Sequence, residues 1–258
     1  MVVSLAELHV SRAEAVILRR SDFGEADRLV TLYTRELGKL RAIAKGVRRP
    51  TSRLGGHLEL FTHSRVMLAH GRDLAIITQA ETIDSFIGLR DDLLRAALAC
   101  YAAELLDRLV TDHDPDPLAH DLLVSALDRI ARDRKPELAV RYYQIQLLGH
   151  LGYRPQLHRC VHCRRLLEPT GNFFSVGAGG VVCLDCGQND PAARGLTTNA
   201  FKVLRLLQSS DYEMVARLRI AEPLRREIER VLQSYTEQIL EREVKSSSLL
   251  DTLRETEA

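Results

Sequence analysis

The sequence contains no tryptophan, and 7 tyrosines with 6 phenylalanines bring its aromatic content to only 5%. Recognition should therefore lean on other contacts more than on stacked rings. No uninterrupted apolar run approaches the roughly 18 residues that a membrane-spanning helix requires. No charged-then-apolar leader opens the chain, so the expectation is an intracellular, cytoplasmic protein. Several catalytic signatures are missing as well. Gly38-Lys39 lacks the upstream glycine of a phosphate-binding loop. No Gly-x-Gly-x-x-Gly follows a strand, and no His-Glu-x-x-His occurs. The 9 histidines are scattered, with none visibly paired to a nucleophilic serine. Nothing in this pattern reads as an enzyme, and no internal repeat is present.

What is present is enough for real cores. The 258 residues are 45% apolar and 28% charged, the profile of a soluble chain with room for one large or two to three small domains. The net charge is only +1, but it is unevenly spread. Residues 1–80 hold 13 Lys and Arg against 8 Asp and Glu, while residues 81–258 hold 23 against 27. A cationic N-terminal third joined to a slightly acidic remainder suggests a binding module attached to something else.

From Ala13 to about Glu81 the pattern reads as five short strands. The first is Ala13–Arg20, with a turn at Ser21-Asp22-Phe23-Gly24. The second is Arg28–Thr34, rich in β-branched residues, and the third is Lys39–Lys45. Thr62–His70 and Asp73–Ala80 form a hairpin about a tight Gly71-Arg72 turn. Five strands with a long loop after the third predict an OB-type Greek-key barrel, a fold that binds nucleic-acid strands on one face and its flanking loops. Beyond Asp84 the period becomes helical. Helices are expected over Leu89–Val110, from Pro117 to about Arg132, from Pro136 to Gly149 or Gly152, from a Thr197 or Thr198 cap through Gln208, and over about Glu222–Glu243. Cys100 and Tyr142-Tyr143 read as helical core residues. The fold class is α+β multidomain: a five-stranded OB-type barrel over 1–82, then a helical domain over 83–258 with an insertion at about 154–192.

The stretch around Leu37–Gly56 is the most cationic. Arg35, Lys39, Arg41, Lys45, Arg48, Arg49 and Arg53 face a single acid, Glu36. Lys39 to Lys45 alternates, so Leu40 and Ala42 should point inward and Lys39, Arg41 and Lys45 outward. Gly46–Gly56 carries Gly, Pro and Ser for a mobile loop and adds three arginines. A cationic strand running into a cationic loop reads as a phosphate-backbone reader, against the plainer alternative of a solvated basic face. With so few aromatics, binding should rest on phosphates and be sequence-tolerant and salt-sensitive.

The sharpest local motif is Cys160-Val-His-Cys163, nineteen residues, then Cys183-Leu-Asp-Cys186. Each Cys-x2-Cys knuckle turns two thiolates to one side, and two knuckles make the four-sulfur set of a closed structural zinc site. In a reducing compartment this favours metal over disulfides. Iron and a redox dithiol are the weaker alternatives. His158 and His162 are near enough to substitute, but four sulfurs already fill the site. Arg159, Arg164 and Arg165 would offset its charge. NFFSV and VVCL flank Gly177–Gly180 as the hairpin of a zinc ribbon whose folding energy the metal would supply.

The run VILRRSDFGEADRLVTLYTRELGKLRAIAKGVRRPTSRLGGHLELF resembles the start of the RecO family of bacterial recombination mediators. The helical middle, the four-cysteine insertion and the closing EREVKSSSLLDTL are similar to the same family. The resemblance implies an OB domain, a helical domain and a zinc-binding insert. It also implies binding to single- and double-stranded DNA at the nucleoid and annealing of complementary strands. It further implies action with RecR to load RecA onto DNA coated by single-strand-binding protein, whose acidic C-terminal tail docks in the helical part. The outward cations from Lys39 to Arg53 match the family's basic strand and loop. About five phosphate contacts would give a log–log salt slope of roughly −3 to −4. An RNA-binding OB protein remains a rival, as does an enzyme with a structural zinc knuckle, although the latter needs a dinucleotide fold that the strand-rich opening does not supply.

Overall fold

A computed structural model of the chain describes residues 10–71, 74–241, 244, 246, 250 and 252. The chain forms two compact units, Met1–Arg132 and Asp133–Ala258. Among the described residues no helix is long and apolar enough to cross a membrane.

In the first unit, β1 (Val10–Phe23), β2 (Asp27–Thr34), β3 (Gly38–Ala44), β4 (His63–Ala69) and β5 (Ala75–Asp84) close into a barrel of order β1-β2-β3-β5-β4. The long β1 pairs with β2 on one side and β4 on the other, with a register shift between Ile17 and Arg19. A short parallel pairing of Ala42–Ile43 with Ala75–Ile76 closes the cylinder. Alternation sends Ala15, Ile17, Val30, Leu32, Leu40, Ala42, Val66, Leu68 and Ile77 into one core. The expected inward direction of Leu40 and Ala42 is therefore observed.

The first strand is longer than its sequence pattern suggests. Ser21, Asp22 and Phe23 pair with Leu29, Arg28 and Asp27, so the turn moves to Gly24, whose φ of +60° suits glycine. Asp22 and Arg28 join across this ribbon at 3.3 Å, and such a cross-strand pair is invisible to a hydrophobic-period reading. Arg72 and Asp73, which carry the expected hairpin turn and the start of its second strand, lie outside the described residues.

Two helices complete this unit: α1 (Leu93–Leu109) and α2 (Pro117–Arg132). The α1 start lies later than Leu89 because the Asp92 side chain caps it by accepting from the Arg95 N–H. Residues Ile87–Leu89 instead form a single 3-10 turn. Cys100 is half-buried in α1, and burial with nearby Glu104 pushes its thiol up. From α2, His120 is buried against the Tyr33 ring of β2 and the His63 ring of β4, with centroids 6.3 and 5.4 Å away. The Nε2 atoms of both histidines are buried without a hydrogen-bond partner.

The second unit contains α3 (Pro136–His150), β6 (Asn172–Ser175), β7 (Gly180–Val182), α4 (Leu184–Gly187), β8 (Arg194–Leu196), α5 (Thr198–Ser209), α6 (Tyr212–Ala216) and α7 (Glu222–Leu240). Thr197 caps α5 by accepting from the Ala200 N–H. The α7 helix ends at Leu240, where Glu241 turns left-handed, and the expected end at Glu243 falls outside the described residues. The centre of this unit is partly polar. Buried Arg141 of α3 pairs with buried Glu229 of α7, and Gln144 donates to the Thr236 hydroxyl at 2.8 Å and the Leu232 carbonyl at 3.1 Å. Tyr143 is buried, whereas Tyr142 meets Tyr212 edge-on at 5.2 Å.

Candidate metal centre and nucleic-acid interface

The two cysteine knuckles converge. Arg164, at φ +63°, lets the first knuckle turn back so that its N–H reaches the Cys160 carbonyl and the Cys160 N–H reaches the Arg165 carbonyl at 2.8 Å. The Val161 N–H donates to the Val181 carbonyl at 3.1 Å, which pins this knuckle to the β6–β7 hairpin. The second knuckle is the β7–α4 junction, where α4 supplies Cys186 and its preceding residue, Cys183, donates its N–H to the Cys160 sulfur at 3.4 Å.

The sulfurs of Cys160, Cys163, Cys183 and Cys186 all lie within 4.8 Å of one another. Cys163 and Cys183 sulfurs are 3.8 Å apart. A tetrahedron with metal–sulfur bonds of about 2.3 Å has edges of about 3.8 Å, so the Cys163–Cys183 pair is at the spacing a thiolate-bound metal needs and the other pairs lie within about 1 Å of it. Burial alone would raise the Cys160 thiol, but N–H groups of Cys163, Cys183 and His162 bring it down to about 6. Cys186 is pushed up to about 12 by its hydrogen bond with Cys183 and by burial. One readily ionised thiol facing a reluctant one is the behaviour of crowded sulfurs that a cation would equalise.

Neither nearby histidine competes for the site. His158 Nδ1 meets Arg205 at 2.7 Å, and His162 Nε2 lies 3.5 Å from Asp190. Of the three local arginines, Arg165 pairs with Asp185 at 3.0 Å and Arg159 donates to the Arg164 carbonyl at 3.2 Å. Strand β8, which pairs with β6 as a third strand, went unread in the sequence because Arg194-Gly195-Leu196 is too short to show a period.

The seven cations of the Arg35–Arg53 stretch divide into two groups. Arg35 ion-pairs with Asp121 at 2.9 Å. Lys39 points away from the barrel core but not into solvent: its side chain is 14% exposed. Its ammonium donates to the carbonyls of Asp107 and Val110 at 2.7 and 3.0 Å, and meets the carboxylates of Asp107 and Asp112 at 3.5 and 3.1 Å. The C-terminal end of α1 exposes unpaired carbonyls and a negative dipole end, and Lys39 satisfies both. Lys39 thus points off the barrel core, as the alternation predicts, but its ammonium is engaged by the end of α1 rather than held in open solvent. Its partners are too distant in sequence for periodicity to reveal. The same segment lies against Gly38, where a β-carbon would collide with the Asp114 backbone.

Arg41, Lys45, Arg49 and Arg53 form the other group. All four are exposed and make no ion pair among the described residues. Arg48 stands between the groups, exposed but 3.5 Å from Asp22. The loop that carries them is not the slack connection its Gly, Pro and Ser suggest. The Gly46 N–H donates to Asp27 at 2.7 Å, Arg48 N–H to the Ala26 carbonyl and Arg49 N–H to the Gly46 carbonyl, while Val47 is buried.

A closed five-stranded barrel with one cationic flank, followed by helices that carry a four-thiol knuckle, defines an OB-type barrel protein with a helical, metal-competent second part. Comparison with known proteins makes the assignment narrower. Residues 8–86 match the family profile described as recombination protein O N terminal, and residues 90–248 match recombination protein O C terminal. The chain belongs to the recombination protein O family. It is 46% identical over 246 residues to a protein named DNA repair protein RecO from Roseiflexus sp. (strain RS-1), covering 95% of this chain and 87% of that one. Proteins of the same name from Dehalococcoides mccartyi (strain CBDB1) and Symbiobacterium thermophilum are 37% and 36% identical, over 95% and 93% of this chain and 97% and 96% of theirs.

Proposed function

We propose that this chain is a DNA-binding recombination mediator in repair. It anneals complementary strands and, with RecR, helps to load RecA onto DNA coated by single-strand-binding protein. The observation that carries this reading is the cluster of exposed cations without ion pairs among the described residues, Arg41, Lys45, Arg49 and Arg53, in a basic stretch whose Arg35 and Lys39 are already ion-paired. Cations along one flank hold the phosphates of two strands close enough to pair, and counterion release drives the binding. Arg48 contributes once it leaves Asp22, whereas Arg35 and Lys39 hold α1 and α2 against the barrel. Function is thus divided differently from packing: DNA binding belongs to residues 1–82, and metal and partner contacts to residues 83–258, with the metal insert at about 154–192.

The four thiolates suit zinc in a structural role, since a closed tetrahedral sulfur set leaves no position open for substrate. A cleft of about 550 Å³ in the second unit suits the acidic tail of single-strand-binding protein. Leu138, Leu218, Ile220 and Ile228 line it together with the exposed Arg134 and Arg219 and with Glu137, whose carboxylate pairs with Arg225 at 2.7 Å. Lys135 fixes one wall by donating to the carbonyls of Ala216 and Leu218 at 3.0 and 2.7 Å. An apolar slot with exposed cations in its lining would take a peptide that ends in apolar residues and a carboxylate.

The test is annealing of complementary oligonucleotides precoated by the cognate single-strand-binding protein. The wild type is expected to anneal them, and a variant with Arg41, Lys45, Arg49 and Arg53 changed to alanine is not. Equal annealing by both would put the DNA site elsewhere, and annealing by neither would remove the mediator reading.

A further inference from the structure

The outer face of the barrel carries an apolar row that the core does not use. Leu29 on β2 lies opposite Ile43 on β3, and Ile43 lies opposite Ile76 on β5. Their sequence neighbours Val30, Ala42 and Ile77 are buried and belong to the core, so the three point outward by the alternation of a strand. All three are half-buried, and none is part of the core cluster. The row continues through Ser21 on β1, which pairs with Leu29, and Ala69 on β4, which pairs with Ile76. Small residues at both ends leave the aliphatic centre as a shallow platform.

Charge says what such a platform meets. Arg41 lies two residues before Ile43 on β3 and so shares its face, and Lys45 follows in the turn directly after the strand's last residue, Ala44. Both are exposed and make no ion pair among the described residues. An aliphatic row bracketed by free cations fits a polyanion with flat apolar groups on one side, which is the chemistry of a nucleic-acid strand with its bases unpaired. At about 4.8 Å between strands the three side chains span about 10 Å, room for about two bases.

We propose that Leu29, Ile43 and Ile76 form a base-contacting platform for single strands, aliphatic where other barrels of this type use aromatic rings, with Arg41 and Lys45 holding the phosphates beside it. The proposal rests on the reading of the barrel as DNA-binding and adds where the bases lie. Aliphatic side chains give contact area without ring–ring stacking, so such a platform would accept every base. In a duplex the bases are paired inward and do not reach it, so the platform favours single strands over double strands on the same cationic flank.

Because the chain has no tryptophan, Ile43→Trp introduces a single reporter on the platform. The variant is titrated with an oligo-dT strand and with a duplex, while the anisotropy of a labelled end follows occupancy independently. Indole emission is expected to fall in step with anisotropy for the single strand and to stay constant for the duplex at equal occupancy. Single-strand binding that leaves emission unchanged overturns the platform but not the DNA site. A wild type that binds neither oligonucleotide overturns the DNA-binding reading, and the platform with it. A second variant, Leu29→Ser with Ile76→Ser, guards against misfolding of the first and is itself checked by circular dichroism. Its single-strand affinity is expected to drop about tenfold and its duplex affinity to change less than about twofold. Equal losses for both strands, or none for either, count against the platform.

Discussion

The barrel and the cysteine insert hold short strands in place by opposite means. The barrel closes five strands around fully buried aliphatic residues such as Ile17, Val30, Leu32 and Leu68, and so leaves no open sheet edge to satisfy. The insert and the adjoining β8 have strands of only 4, 3 and 3 residues, with Leu157, Leu167, Phe174, Val181, Val182 and Leu196 among their buried apolar groups. Such a sheet is marginal on its own, and without a cation its two knuckles are joined at the sulfurs by weak thiol hydrogen bonds. One region is stabilised by what it buries, and the other by what it can bind.

Metal removal should expose this difference most strongly. A bound structural metal contributes on the order of 10 kcal/mol to a thiolate knuckle, so chelation or Cys160→Ser with Cys183→Ser should unfold the insert. Hydrogen exchange is expected to show amides of Phe173–Val182 losing protection while those of Val30–Leu32 keep theirs. Loss of protection in both regions would mean that the insert is not the separate folding problem described here.

A smaller effect contrasts the polar centre of the second unit with the apolar centre of the barrel. Glu229→Ala removes a charged partner of the buried Arg141 guanidinium, which keeps its bond to Gln144 Oε1 at 2.8 Å, and is expected to cost about 3 kcal/mol. Replacing both residues with methionine should recover most of that loss, because the desolvation cost disappears with the pair. Chemical denaturation of the two variants measures both numbers, and a single variant as stable as the wild type would show that the pair contributes nothing.

Acid should act on the first unit in a defined direction. Burial lowers the pKa of His63 and of His120 below the ordinary 6.5, and for His63 the neighbouring His120 lowers it further. Glu14 and Asp84 oppose this at His63, while Arg65 adds to it. Asp121 and Glu36 oppose it at His120, while Arg35 adds to it. A group whose folded pKa lies below its unfolded one takes up protons more readily when unfolded. Stability is thus full above about 6.5 and falls as pH drops below it. Melting temperatures between pH 7.5 and 5.5 check this, and His120→Gln should flatten the profile.

The sequence carried more of the scaffold than of the site. Five strands were readable because short runs rich in aliphatic and β-branched residues, such as Ala15–Leu18, Leu29–Leu32, Val66–Leu68 and Ala75–Thr78, lie between turn residues, and most helix starts because Pro117, Pro136 and Thr197 mark them. The cysteine cluster was legible from spacing alone, since two Cys-x2-Cys knuckles need only a hairpin between them to meet. The cationic site was only half legible. Lys39 and Arg41 look identical in the alternating pattern, yet Asp107, Asp112 and the Val110 carbonyl claim Lys39 from some seventy residues downstream. The platform was hidden for a related reason: Leu29, Ile43 and Ile76 are ordinary strand residues until register aligns them.

Under the proposed function the basic stretch divides into cations that bind DNA and cations that hold the fold. The direct measurement is the salt dependence of single-strand affinity for the wild type, for Lys39→Ala, and for the variant with Arg41, Lys45, Arg49 and Arg53 changed to alanine. Four free cations predict a log–log slope of about −3 for the wild type. Lys39→Ala should keep that slope and lose only stability, while the fourfold variant should lose nearly all of it. A slope that falls with Lys39→Ala, or survives the fourfold variant, would contradict the assignment.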